Sequence, residues 1–190
     1  MLEARIVEEG NDVAFQDLIR MGSYLSVLVV MATWELVAPR RPVTASKFCR
    51  WGGNLTIVVL NTLIARLLFA GGAVAMAVMA QERGWGLLNW VDGPAWLEMG
   101  LAVLLLDFII YWQHQVFHWV PTLWRFHMMH HSDLDLDVSS GVRFHPVEMV
   151  ISLLVKSAAV IALGVAPLAV VAFEIVLNAT ALFNHSNVQM

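Results

Sequence analysis

This 190-residue sequence predicts an all-α integral membrane protein, a bundle of about four to five membrane helices with a histidine-rich metal site on its cytoplasmic face. Three observations carry that reading. The chain is 59% hydrophobic and 14% charged, against about 45–50% and 25% in soluble domains. Its apolar residues fall in runs of about the 20 residues that a spanning helix needs. Five histidines crowd into residues 114–131 as HxxxH followed by HxxHH, whereas the first 113 residues contain none.

The elements follow in chain order. The start, MLEARIVEEG, is acidic and polar, unlike a secretory signal, so residues 1–20 read as a polar or interfacial lead-in. The first span runs from about Leu18 to Ala38 and stops at Pro39-Arg40-Arg41-Pro42. The second covers about Leu55 to Ala80 and carries Asn61 and Arg66. The third covers about Ala95 to Phe117 and leads into the histidines. Pro121 suits the first position of a further helix, Thr122–Ser132, lying in the interface. A last apolar region, Pro146 to about Asn184, reads as a helical hairpin that Pro167 breaks. Residues 21–190 form the membrane domain.

Loop charge sets the orientation. The connection after the first span holds Arg40, Arg41, Lys47 and Arg50; the one after the second holds only Arg83. The positive-inside rule puts the first connection in the cytoplasm, and parity sends the end of the third span there too. The hairpin returns His185 to the same side. Trp85, Trp90 and Trp96 then belong to the opposite interface, and Trp51, Trp112, Trp119 and Trp124 to the cytoplasmic one.

Composition excludes several roles. A net charge of -4 with no basic run gives no sign of nucleic-acid binding. Cys49 is the sole cysteine, so no intramolecular disulfide forms. No HExxH protease signature occurs, because Gln115, Val116 and Phe117 follow His114. Asp133, Asp135 and Asp137 begin like a calcium loop, but Val138 stands where glycine is required, so they read as a solvated acidic turn. Lys156 and Glu174 read as a structural ion pair across the hairpin.

Neutral imidazole is the commonest side-chain ligand for a transition metal. At 100° per residue, Asp107, Tyr111, His114 and His118 share one helix face, where two imidazoles at i and i+4 can hold one metal. Asp107 and Tyr111 are candidates to orient the ligands' second nitrogens, and an ionisable Asp107 within the membrane is a functional candidate by default. His127, His130 and His131 lie on one face of the expected interfacial helix. His145 precedes a proline at a helix entrance, with Glu148 in the following turn within reach of a metal or a ligating imidazole. His185 closes the hairpin. The bland alternatives are incidental interfacial histidines and bundle-facing polar residues.

The segments DFIIYWQHQVFHWVPTLWRFHMMHHSD, SSGVRFHPVE and FNHSN resemble the fatty acid hydroxylase/sterol desaturase superfamily of membrane di-iron oxygenases, and PRRP…RW…N fits more loosely. The resemblance covers about residues 35–190. It implies a cytoplasmic centre of two Fe ions that uses O2 as co-substrate, with two electrons, to hydroxylate or desaturate a lipid C–H bond. His114 and His118 match the first box, His127, His130 and His131 the second, and His145 and His185 the isolated histidines that follow. Asp107, Tyr111 and Glu148 are the candidate catalytic residues beside those seven ligands. The implied partners are a lipid substrate from the bilayer and an external electron donor of cytochrome b5, ferredoxin or reductase type.

Two departures stand out. Gln115 takes the place of an arginine usual in the first box. The family's further HxxHH box lies downstream of the HSN segment, whereas this sequence ends at Met190, so a C-terminally truncated domain is expected. Asp107, Glu148 or Asn187 are the available side chains to complete the ligand set. A catalytically inactive metal-binding remnant is the main alternative; a haem protein fits less well, because these histidines cluster locally.

Overall fold

The computed structural model describes residues 2–69, 71–90 and 93–189, with side chains from Phe15 onward. It is 78% helical with no strand among those residues. Five segments are long and apolar enough to cross a membrane: Phe15–Val37, Lys47–Trp90, Ala95–Trp119, Pro146–Leu163 and Pro167–His185. The predicted all-helical membrane bundle is the observed one.

Helix α1 runs Leu2–Val37, so the backbone of the expected lead-in continues into the first span without a break. The lead-in's side chains before Phe15 lie outside the described residues. Pro39, which has no N–H to donate, stands two residues past the helix end.

The second span departs from expectation. Helix α2 starts at Lys47, well before Leu55, and ends at Leu68; α3 resumes at Gly72 and runs to Glu82. Two left-handed glycines, Gly71 (φ 84°) and Gly72 (φ 60°), make the break that L side chains resist. The early start has a polar cause. Arg50, Asn54 and Asn61 recur on one helix face, and all three find partners in the loop 133–144 instead of in lipid.

Helix α4 (Ala95–Trp119) follows a 3-10 turn, Leu87–Trp90, and leads through Val120 into α5 (Pro121–His127), with Pro121 at its first position. Residues 128–131 are turn, not the helix expected to Ser132, and His130 N–H bonds back to His127 C=O at 2.9 Å. The hairpin breaks as predicted: α6 (Pro146–Leu163) ends on Gly164 at φ 69°, and α7 (Pro167–His185) starts on the proline.

Small residues set the packing. Ala73, Val74, Ala77 and Ala80 of α3 are buried, and Ala73, Val74 and Ala77 share one core with Leu106 of α4, Val160 of α6, and Val170 and Phe173 of α7. At the end away from the histidines, Gly86 lies so close to Gly164 that a Cβ on Gly86 would meet Gly164 N at 2.0 Å. Within the bundle, Glu174 pairs with Lys156, as the sequence predicts, and also with Arg20 Nε of α1 at 2.9 Å. One carboxylate thus ties three helices together.

The histidine end is closed by buried charge. Glu35 Oε1 of α1 accepts from Val138 N–H at 2.6 Å and Asn187 N–H at 2.8 Å. Pro39 and Val188 form an antiparallel bridge. The α1–α2 connection therefore lies beside the histidine segments, at the same end of the bundle as parity requires.

Asp133 and Asp137 of the aspartate turn are not solvated. Arg50 pairs with Asp133 at 3.0 Å and Asp137 at 2.9 Å, and Asp137 is 1% exposed. Trp51 Nε1–H also donates to Asp137 (3.2 Å), which accepts from Ser139 N–H as well. Asp135 caps the start of α2 by accepting from Thr44 and Ala45 N–H; the Ala45 bond foremost holds its carboxyl below the usual range. The expectation failed because Arg50, which pairs with both Asp133 and Asp137, comes from more than 80 residues upstream, beyond reach of local sequence.

Candidate metal centre

Helix α4 supplies the first pair of candidate ligands. His114 and His118 stand one turn apart, which brings their Nε2 atoms to 3.1 Å. The short α5 reverses the chain so that His127 and His131, again four residues apart, face them with Nε2 atoms 3.0 Å from each other. One nitrogen from each of His114, His118, His127 and His131 lies within 4.8 Å of the other three. Imidazole nitrogens sharing one cation at about 2.0–2.1 Å stand roughly 3 Å apart across a right angle, so these spacings fit a common metal.

Glu148 completes this group from α6. Its Oε1 accepts from His127 Nδ1–H at 2.6 Å, and both side chains are buried. With Nδ1 donating, Nε2 is left as the lone-pair atom facing the other rings. This is the carboxylate–imidazole pairing that orients metal ligands and raises their basicity. Phe117, 1% exposed, packs on the same ring at 5.6 Å.

His130 and His185 form a second group, with ring centroids 4.5 Å apart. His130 lies 4.9 Å from His131 and 5.5 Å from His127, so the two groups are contiguous. Each of His130 and His185 has a buried Nδ1 with no hydrogen-bond partner. Buried polar atoms are rarely left unpaired without a functional reason, and a metal would satisfy lone pairs here. Burial, reinforced by the neighbouring imidazoles, pushes His130 down to about 3 and His131 to about 4. Both rings are therefore neutral at physiological pH, the form that binds metal.

The other predicted residues fall elsewhere. His145 caps α6: its Nδ1 accepts from Val147 N–H at 3.1 Å, and its ring packs on Phe126 rather than on another imidazole. Asp107 and Tyr111 lie on the lipid-facing side of α4, where Tyr111 is 54% exposed and meets Trp112 edge-on. Asn187 is taken by the backbone of Arg41, accepting from its N–H and donating to its C=O, and so is no spare ligand. Reasoning from sequence overlooked Trp124, which stacks on His131 and tilts over His118. It also overlooked Phe144, parallel to His130 at 4.5 Å. Only their proximity to histidine motifs could have flagged them.

Residues 99–190 match the fatty acid hydroxylase family. The chain is also similar to the ornithine lipid hydroxylase OlsE of Rhizobium tropici, at 27% identity over 173 residues. That alignment takes in 88% of this chain and 52% of the relative, so the chain spans about half the length of the curated relative it matches. No solved structure matches it. Together with the helical membrane fold and the histidine cluster, these similarities mark a likeness to the fatty acid hydroxylase family over residues 99–190.

Proposed function

We propose that this chain is the metal-binding core of a membrane-bound di-iron lipid oxygenase that hydroxylates or desaturates an acyl or sterol-like C–H bond. The observation that carries the reading is the convergence of four imidazole nitrogens within 4.8 Å beside a second, contiguous imidazole pair. The donor set by itself suits zinc, copper, nickel or iron, and the family likeness favours iron. His114, His118, His127 and His131 would hold one ion, and His130 and His185 would contribute to the second. When bound, the irons would supply the dioxygen-dependent oxidising chemistry that an unactivated C–H bond demands.

The chain's own residues do the rest. Glu148 fixes the His127 tautomer and ring plane. Phe117 and Trp124 wall the first group with aromatic surface, which keeps bulk water from its flanks. His118 and His131 are exposed, so a substrate can approach the centre from their side. Tyr111 and Trp112 continue that exposed side along α4 toward the membrane, with Trp119 edge-on to Trp112, as an amphipathic and aromatic surface on which an acyl lipid can lie. The metal site faces the cytoplasm on the loop-charge argument, where a cytochrome b5, ferredoxin or reductase-type donor would supply electrons. The similarity to an ornithine lipid hydroxylase supports an ornithine lipid as the first substrate to assay.

The test is lipid oxidation by membranes carrying the chain together with an electron-donor system. Product formation should require both iron and O2 and should vanish in His130→Ala. Activity in a metal-free preparation, or full activity in His130→Ala, would overturn the proposal. One zinc per chain, or no metal, would instead favour the inactive remnant.

A further inference from the structure

The second imidazole group is held from a distance by α2. Asn61 sits in the apolar stretch of α2 yet is 3% exposed, and its Nδ2–H donates to Phe144 C=O at 2.9 Å. Phe144 in turn lays its ring parallel to His130, at 11° and 4.5 Å. His130 thus contacts both the stacked Phe144 ring and the tilted His185 ring, each with its centroid 4.5 Å away. Two further α2 residues on the same face anchor the preceding loop: Arg50 on Asp133 and Asp137, and Asn54 on Ser139 Oγ at 2.9 Å. A polar side chain inside an apolar helix is costly unless it is partnered, and this one is aligned to a single backbone carbonyl beside the site.

We propose that Asn61 and Phe144 are positioning residues for the second metal, setting the plane and depth of His130 so that it and His185 can ligate together. Neither touches the first group, whose orienting contact is Glu148 on His127. The inference rests on the two-metal reading above. It assigns to α2 the rigidity of one half of the centre. Outer partners of metal ligands change affinity by about 10–100-fold when lost, and that is the size of effect expected here on the second equivalent alone.

The experiment is Co(II) titration of the metal-stripped full chain in detergent, followed by the visible bands of the bound ion, with helicity measured in parallel. Wild type should take up two equivalents. Asn61→Leu, similar in volume but without the donor, and Phe144→Leu should each bind the first equivalent unchanged and the second about 10–100-fold more weakly. Phe144→Tyr, which keeps the ring, should restore the second. Normal first-equivalent binding shows that a variant is folded. Should Asn61→Leu lose helicity, the Phe144→Leu and Phe144→Tyr pair decides alone. Two unchanged equivalents in Phe144→Leu would overturn the assignment while leaving the two-metal reading intact. Fewer than two equivalents in wild type would overturn both.

Discussion

At the scale of single residues, the decisive contact is the one between Glu148 and His127. A buried imidazole N–H that loses its acceptor keeps the full desolvation cost, and the ring is then free to turn away from its neighbours. Glu148→Ala should therefore weaken metal binding at the first group by about 10–100-fold, read by competition with a chelator of known affinity. A variant binding as tightly as wild type would show that the carboxylate is a bystander. The depressed histidines make a second prediction. His130 at about 3 and His131 at about 4 lie below the usual 6.5, so between those limits the unfolded chain binds more protons than the folded one. Stability of the metal-free chain should fall as pH drops from about 6.5 toward 4, and should be restored on returning to neutral pH. Thermal unfolding in detergent against pH checks this; a flat profile over that range would contradict it.

Individual residues also show where sequence was a sufficient guide. The HxxxH and HxxHH spacings identified four side chains that do converge: His114 and His118 because i and i+4 share a face of α4, and His127 and His131 through a turn where the sequence predicts helix. The same local argument was silent on His145. A histidine before proline marks a helix entrance, but whether its ring turns toward the cluster or back onto Val147 N–H depends on tertiary context. Glu148 was legible for the same reason that His145 was ambiguous: its place in the first turn of α6 is local, and the turn happens to face α5.

At the scale of elements, two glycines on separate segments meet. Gly86 (φ 112°) and Gly164 (φ 69°) press backbone to backbone at the end of the bundle opposite the site. Gly86→Ala should cost on the order of 1–3 kcal/mol from its backbone conformation alone, with a further penalty for the clash. Gly100→Ala, on α4 with open space around its Cα, should be neutral or slightly stabilising. Comparing the unfolding of the two variants separates close approach from a general glycine effect; equal stabilities would contradict the packing described. Helix positions were legible from apolar runs, but the ends of α2 were not. Its polar face at Arg50, Asn54 and Asn61 breaks the hydropathy pattern and looks like loop until its partners at 133–144 are known. The break at Gly71-Gly72 that divides α2 from α3 was also missed, because the apolar run continues across it.

At the scale of the whole molecule, charge inside the bundle fastens α1 to the hairpin. Glu174→Leu would leave Lys156 and Arg20 without their shared carboxylate, and removing one partner of a buried pair costs roughly 3–5 kcal/mol. The double variant Lys156→Met with Glu174→Leu should recover part of that loss, as measured by unfolding in detergent. A Glu174→Leu chain as stable as wild type would show the triad to be idle.

A two-metal centre forms here only if imidazoles from α4, the α5 turn and the end of α7 act as one polynuclear ligand set. Iron K-edge X-ray absorption on the purified chain, with iron counted per chain, tests this most directly. Two irons, each showing nitrogen neighbours with the outer-shell scattering of imidazole rings, is the predicted result. A chain that retains no iron, or holds it without imidazole scattering, would contradict the account.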